Sequence, residues 1–146
     1  MSIRAVLASR TGPVISSQPL DSVADVIALL VEKRIGAVPI VENGVILGIF
    51  SERDVIRALA AQGRHALERP VRDVMTAPAI TVDADMPVLG ALSLMTQRRF
   101  RHLPVVDGPN GRGTMVGFVS IGDLVKYRID NIEREAAALR DYISMA

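Results

Sequence analysis

The sequence predicts an α/β fold of the α+β type, built from two copies of one unit and a C-terminal helical extension. Three observations predict this fold. Residues 15–41 match residues 80–106 at a constant shift, and a later block repeats after a slightly larger shift. Within each copy, helical spacing of apolar residues gives way to short strand-like runs. After the second copy, the helical pattern continues to the C-terminus.

The first unit, residues 13–63, is expected to begin with a short extended piece. A helix follows, capped by Ser22 and continued by regularly spaced apolar residues to about Lys33. Two strands come next, and the Asn-Gly dipeptide between them favours a tight type I′ hairpin turn. Ser51 then caps a second helix, which is expected to end near Gly63.

The remaining segments are placed relative to the two units. Residues 1–12 form an N-terminal lead-in, and residues 64–77, with prolines in and after them, are predicted to be a linker. The second unit spans residues 78–128 and repeats the order of the first. Its hairpin loop, residues 107–113, is longer and rich in glycine. Residues 129–146 form the C-terminal helix extension.

The last helix carries an apolar seam at alternating spacings of four and three residues, which is the a/d pattern of a coiled coil. The seam consists of Val125, Ile129, Ile132, Ala136, Leu139 and Ile143. One interpretation is an amphipathic helix that folds back on its own domain. The other is a helix for self-association, since an apolar seam at the end of a compact unit needs a partner.

Composition excludes several classes of function. The chain has 146 residues, a net charge of +1 and no cysteine, so disulfides and thiolate metal sites are excluded. A reducing compartment, and hence a cytoplasmic location, is expected. No apolar run reaches the length of a bilayer span, and neither a nucleic-acid partner nor a membrane partner is expected. The two histidines lie in no metal-binding spacing, so we expect no metal site, no required cofactor and no catalytic residue.

One junction occurs twice and carries the chemistry. Residues 47–54 are Leu-Gly-Ile-Phe-Ser-Glu-Arg-Asp, and residues 116–123 are Val-Gly-Phe-Val-Ser-Ile-Gly-Asp. The serine heads a helix, whose N–H groups attract phosphate, and the aspartate could accept hydrogen bonds from both hydroxyls of a ribose. Helix capping alone also explains a Ser-x-x-Asp pair, so both interpretations stay open.

The repeated motif resembles the CBS domain family. Each junction follows a strand with a central proline, Val-Pro-Ile-Val at 38–41 and Leu-Pro-Val-Val at 103–106, and residues 74–76 resemble the family's lead-in. The similarity covers about residues 13–128. It implies two β-α-β-β-α units related by a pseudo-two-fold axis (a Bateman module), which commonly forms a homodimer. Such modules bind AMP, ADP, ATP, S-adenosylmethionine or NAD in two clefts and regulate other proteins.

The resemblance implies two unequal clefts, of which the first is predicted to be the better nucleotide site. Ser51 and Asp54 would hold the ribose there, while Arg101 and His102 would reach the phosphates. The adenine would lie near three residues that precede the second unit's helix: Ala79, Ile80 and Thr81.

The second cleft would use Ser120 and Asp123 for the ribose. Arg53, at the family's basic position after the serine, would supply its remaining phosphate contact. The corresponding position for the first cleft is Gly122, which carries no charge. The walls of the second cleft would come from the first unit: Ile15, Ser16, Gly36 and Ala37.

Together these features predict an adenine-nucleotide-binding regulatory module, with AMP as the first candidate ligand, acting through a homodimer or an unknown effector protein. The alternative is a ligand-free scaffold kept for oligomerisation. A hydrolase or transferase would instead need a turnover that depends on Ser51 or Ser120.

Overall fold

The computed structural model describes residues 1–108 and 113–145. The helices are α1 (Ile3–Ala8), α2 (Val23–Lys33), α3 (Glu52–Gln62), α4 (Val88–Arg98) and α5 (Ile121–Ser144). The strands are β1 (Ala37–Glu42), β2 (Val45–Ser51), β3 (Val82–Asp83), β4 (His102–Val106) and β5 (Met115–Ser120). Two short 3-10 helices span Gly63–Glu68 and Val71–Asp73. The centre of the second hairpin loop, residues 109–112, and Ala146 lie outside the described residues.

The chain forms two compact units, and each combines segments from distant parts of the sequence. Unit 1 consists of Met1–Thr11, Ala84–Leu103 and Val119–Ala146. Unit 2 consists of Gly12–Asp83 and Pro104–Phe118. Unit 2 therefore holds the whole first sequence repeat and part of the second, whereas unit 1 holds Met1–Thr11 of the N-terminal lead-in, the rest of the second repeat and the C-terminal extension.

Unit 2 is organised around the hairpin of β1 and β2, which pair antiparallel with Ala37 opposite Ser51. The predicted type I′ turn is confirmed, because Asn43 and Gly44 both have positive φ, 53° and 80°. Helix α2 packs its apolar face on this hairpin, as its spacing predicts. The buried core of the unit consists of Val23, Val26, Leu30, Val38, Ile40, Phe50 and Val71.

Two segments of unit 2 differ from the sequence expectation. The piece at residues 14–16 forms no strand; the following residue, Ser17, makes a single parallel bridge to Ile40. Pro19 follows closely and lacks an N–H, which prevents a longer ladder there. The segment predicted to be a linker holds the two 3-10 helices and contributes the fully buried Val71 to the core.

A second, three-stranded sheet has the order β3-β4-β5. Strand β3 is only two residues long and pairs parallel with β4, so that Val82 lies opposite Val105. The second copy thus keeps a true first strand, whereas the first copy reduces it to one bridge.

Unit 1 contains α1, α4 and α5, and α1 was not predicted. Ile3 and Val6 on α1 are buried, and the Ile3 N–H donates to the Met86 carbonyl at 3.0 Å. The spacing of Ile3, Val6 and Leu7 is helical, but it spans too little sequence to indicate a helix alone. Helix α5 runs without a break through residue 128. The last helix of the second sequence repeat and the C-terminal extension (residues 129–146) are therefore one helix.

Among the residues described, no helix combines the length and the apolar character needed to cross a membrane.

Candidate functional site

The first junction is a complete capping box at the start of α3. Strand β2 ends at Ser51, whose Oγ accepts a hydrogen bond from the Asp54 N–H at 3.4 Å. In return, the Ser51 N–H donates to Asp54 Oδ2 at 2.9 Å, and the Ser51 hydroxyl donates to the same oxygen at 3.0 Å. Asp54 is only 4% exposed. The carboxylate is thus held in place by the residue that begins its own helix.

A third residue, Thr76, completes this junction, although it was not predicted to be a site residue. Its hydroxyl donates to Asp54 Oδ1 at 2.7 Å. Thr76 also forms an antiparallel bridge with Ile49, in which both N–H···O distances are 2.9 Å. Both oxygens of Asp54 therefore accept hydrogen bonds from the protein. The Met-Thr lead-in marked this segment, but its spacing gave no sign of a contact with Asp54.

The glycine of the first motif is required by close packing. A Cβ at Gly48 would lie 2.7 Å from Met75 Sδ and 2.7 Å from the Thr76 carbonyl oxygen. Distances this short are not found between real atoms of these kinds, so a side chain at residue 48 would push the Met75–Thr76 segment away from β2. Gly48 thereby allows Thr76 to reach Asp54.

The second junction repeats the capping box at the start of α5 with a different outer partner. The Ser120 N–H donates to Asp123 Oδ2 at 2.8 Å, and the Asp123 N–H donates to Ser120 Oγ at 3.1 Å. The Arg10 guanidinium, just beyond α1, forms an ion pair with the same Oδ2. The Asp123 side chain is 34% exposed. No sequence signal connects Arg10 with Asp123, because more than a hundred residues separate them.

These contacts set the acidity of Asp123. Burial raises the pKa of this carboxyl, but the hydrogen bond from the Ser120 N–H and the Arg10 guanidinium lower it by more. The net pKa therefore lies below the ordinary value of 3.8. Asp123 is accordingly an anion at neutral pH.

The first N–H group of each helix is used by the chain itself. The Glu52 N–H donates to the Gly36 carbonyl at 3.0 Å, and the Ile121 N–H donates to the Arg101 carbonyl at 2.8 Å. Because these donors are engaged, a phosphate at either helix start would rely more strongly on side-chain cations.

The structure brings some of the predicted site residues together. Gly36 and Ala37 lie beside Ser51 in unit 2, and the Ala37 side chain is buried, so it offers no open wall to a ligand. Ile15 packs against the core of unit 2, and Ser16 is exposed.

Other predicted residues are divided between the units. Ile80 is exposed, whereas Ala79 and Thr81 are half-buried, and all three belong to unit 2 with Asp54 and Arg53. Arg101 and His102 belong to unit 1, together with Ser120 and Asp123. The predicted convergence of Arg101 and His102 on Asp54 therefore stays a prediction.

Within residues 1–108 and 113–145, no group of three or more His, Cys, Asp or Glu side chains has an arrangement suited to a metal ion.

Comparison with known proteins identifies the family. The family model for the CBS domain matches residues 4–61 and 71–130. The chain belongs to the CBS domain family. The matched residues include most of α1 and both junctions, and the match occurs twice, in agreement with the repeat seen in the sequence.

Two relatives carry CBS domains in their names. The mitochondrial CBS domain-containing protein CBSX3 of Arabidopsis thaliana is 36% identical over 128 residues, which cover 84% of this chain. The match spans 60% of that protein's length. The CBS domain-containing protein YhcV of Bacillus subtilis is 33% identical over 121 residues. The match covers 83% of this chain and 83% of YhcV.

Solved structures of CBS proteins share the fold. The CBS-domain protein ATU1752 from Agrobacterium tumefaciens superposes with a TM-score of 0.79 at 35% identity, covering 88% of this chain and 99% of its own. CBSX2, solved in complex with AMP, gives a TM-score of 0.69 at 26% identity, and the superposition covers 80% of this chain and 88% of CBSX2. The CBS domain pair of MJ0100 was solved with 5′-methylthioadenosine and S-adenosylmethionine. It gives a TM-score of 0.74 at 25% identity, and the superposition covers 90% of this chain and 98% of the MJ0100 chain.

Proposed function

We propose that this chain is a regulatory module that binds an adenine nucleotide, with AMP as the first candidate, and acts through a homodimer or a partner protein. The observation that carries the proposal is the doubled junction, in which a serine and an aspartate begin α3 and again begin α5. Members of the family with the same fold have been solved with AMP and with S-adenosylmethionine, which share an adenosine group.

The chemistry of the junctions supports a ribose contact. A carboxylate accepts hydrogen bonds only, and the two vicinal hydroxyls of a ribose are donors that can reach its two oxygens. At the first junction, a ribose would have to take the place of the Thr76 hydroxyl on Asp54 Oδ1. At the second junction, it would share Asp123 Oδ2 with Arg10 or displace it. Binding and local rearrangement are therefore coupled in this proposal.

A specific observation favours a second candidate function, a ligand-free scaffold. Both aspartates already accept hydrogen bonds or an ion pair from the chain itself, so each junction is satisfied without a ligand. In a scaffold these contacts would serve helix capping and packing alone. The two candidates differ in whether an adenine compound stabilises the folded protein.

Thermal unfolding with AMP, ADP, ATP, NAD and S-adenosylmethionine separates the two candidates. A ligand at a hundred times its dissociation constant stabilises the folded state by about 2.7 kcal/mol. We expect one of these ligands to raise the Tm of the wild type, and Asp54→Ala or Asp123→Ala to lose most of that gain. Each variant is compared with its own ligand-free Tm.

Asp25→Ala is the matched control. Ser22 and Asp25 form the same Ser-x-x-Asp pair at the start of α2, where the Asp25 N–H donates to Ser22 Oγ at 3.1 Å. This variant should keep the full ligand shift. If no ligand moves the wild-type Tm, or if Asp25→Ala loses as much of the shift as the junction variants, the scaffold function replaces the sensor.

The compartment also stays a prediction. The absence of cysteine favours a reducing compartment such as the cytoplasm. One relative is named as mitochondrial, so fractionation of cells that express the chain with its native N-terminus is the direct measurement.

A further inference from the structure

Helix α5 carries an apolar seam that residues 1–108 and 113–145 leave largely exposed. The five large residues of the seam are between 42% and 63% exposed: Val125, Ile129, Ile132, Leu139 and Ile143. The opposite side of the helix faces the rest of unit 1, where Leu124 is fully buried and Asn131 Nδ2 lies 3.0 Å from Met1 Sδ. The helix therefore does not fold its seam back on its own domain, as one interpretation of the sequence expected.

The exposed part of α5 has little packing of its own. Residues 132–144 are all exposed except Ala137, which is half-buried. This part continues a helix that has already formed, but most helical stability in proteins comes from packing of an amphipathic face, and these residues gain little of it from the described chain. A packing partner along the seam would supply the missing stabilisation.

We propose that this partner is the α5 helix of a second copy of the chain, aligned in parallel and in register. The proposal builds on the homodimer in the proposed function and does not depend on nucleotide binding. In the heptad assignment, Ile129, Ala136 and Ile143 occupy a positions, and Val125, Ile132 and Leu139 occupy d positions. In a parallel pair each of these residues faces its own counterpart.

The charges beside the seam select the parallel orientation. In a parallel coiled coil, a g residue faces the e residue five positions later on the other helix. Arg128 at g would then face Glu133 of the second copy, and Glu135 at g would face Arg140 of the second copy. Two-fold symmetry makes each contact twice, so four pairs of opposite charge flank the seam.

A fully overlapping antiparallel pair would place like charges together. There e faces e and g faces g, so that Lys126 would face Arg140 of the second copy. Glu133 would face its own counterpart, and Glu135 would do the same. Each of these contacts is repulsive, and the antiparallel arrangement is disfavoured.

Charge reversal at the e and g positions, which form the two edges of the seam, tests the pairing, and analytical ultracentrifugation measures the dimer dissociation constant. The double variant Glu133→Lys/Glu135→Lys makes both edges basic, and Lys126→Glu/Arg128→Glu/Arg140→Glu makes them acidic. We expect each variant alone to raise the dimer dissociation constant on the order of tenfold, and an equimolar mixture of the two to restore association as a heterodimer.

The matched control exchanges charges on the face away from the seam. Arg134→Glu/Asp141→Lys alters two f positions and leaves the net charge unchanged, so dimerisation should be unaffected. If the wild type is a monomer at all concentrations, both this pairing and the proposed homodimer are wrong. If the wild type is a dimer that the edge variants leave intact, the homodimer stands and the pairing through α5 is wrong.

A single cysteine tests the orientation, since the chain has no native cysteine. In a parallel pair, the residues at position 143 of the two copies face each other, so Ile143→Cys should form a disulfide-linked dimer under mild oxidation. In an antiparallel pair, position 143 would face Val125, about 27 Å along the helix from its counterpart. Asp141→Cys on the outer face is the control. Equal cross-linking of both variants, or none at position 143, would overturn the parallel arrangement.

Discussion

The two Ser-x-x-Asp junctions have nearly the same local geometry and different surroundings. The serine N–H donates to the aspartate Oδ2 at 2.9 Å in the first and at 2.8 Å in the second. The buried Asp54 accepts a hydrogen bond from the neutral hydroxyl of Thr76 and has only a long ion pair, 3.9 Å, with the exposed Arg57, whereas the half-exposed Asp123 is in direct contact with the Arg10 guanidinium. The motif thus determines the capping box, while residues outside the motif determine the further contacts of each carboxylate.

The largest effect in this comparison is expected at Gly48. The substitution Gly48→Ala would place a methyl group 2.7 Å from a backbone oxygen, the Thr76 carbonyl, and should separate Thr76 from both Ile49 and Asp54. We expect the free energy of unfolding to fall by about 3 kcal/mol, as for an overpacked core position. Urea unfolding at neutral pH measures this change.

Gly90→Ala is the control for that substitution. Gly90 lies in α4, and a Cβ there would meet nothing closer than 3.7 Å, an ordinary van der Waals distance. Alanine favours helix more than glycine does, so this variant should gain about 0.8 kcal/mol. If Gly48→Ala is as well tolerated as Gly90→Ala, the first junction does not depend on the close approach of Thr76.

The second largest effect is expected from Thr76→Val, which keeps the shape of the side chain and removes its hydroxyl. Asp54 Oδ1 would lose a 2.7 Å hydrogen bond that is partly buried. The free energy of unfolding should fall by about 1.5 kcal/mol, the lower end for hydrogen bonds to charged groups. Thr76→Ser should recover most of this loss in the same urea measurement, and equal stability of the Val and Ser variants would argue against the contact.

The features that could be predicted from the sequence are those set by near neighbours. The helix caps at Ser51 and Ser120 and the Asn-Gly hairpin follow from a few adjacent residues, and the repeat located both junctions. Thr76 and Arg10 could not be predicted as partners of the aspartates, because such contacts depend on tertiary packing between distant segments. For the same reason α1 was missed, since its stability comes from burial of Ile3 and Val6 in unit 1.

A smaller effect is expected at the second junction from Arg10→Gln. The Arg10 and Asp123 side chains are 38% and 34% exposed, so water and salt screen their ion pair. We expect a loss of about 0.5 kcal/mol in the free energy of unfolding at low ionic strength, and less at 1 M salt. Arg4→Gln, which removes a more exposed ion pair with Asp85, should change stability less. A loss at Arg10 that equals the Thr76→Val loss would remove the contrast between the junctions.

The smallest expected effect is a change in the free energy of unfolding at acid pH, and its sign follows from the pKa of Asp123. Burial raises this pKa, but the Ser120 N–H and Arg10 lower it by more, so the folded-state pKa is below the ordinary 3.8. The anionic form therefore stabilises the folded protein above about pH 3.8, and this contribution disappears as the pH falls through the folded-state pKa. Urea unfolding between neutral pH and pH 2.5 measures this effect. The stability advantage of wild type over Asp123→Asn should shrink below about pH 3.8. In Arg10→Gln the pKa of Asp123 is less depressed, so the advantage over Arg10→Gln/Asp123→Asn should shrink by less below about pH 3.8 and should level off at a higher pH. A difference between wild type and Asp123→Asn that stays constant with pH would mean that Asp123 stabilises the junction by capping alone and not through its charge.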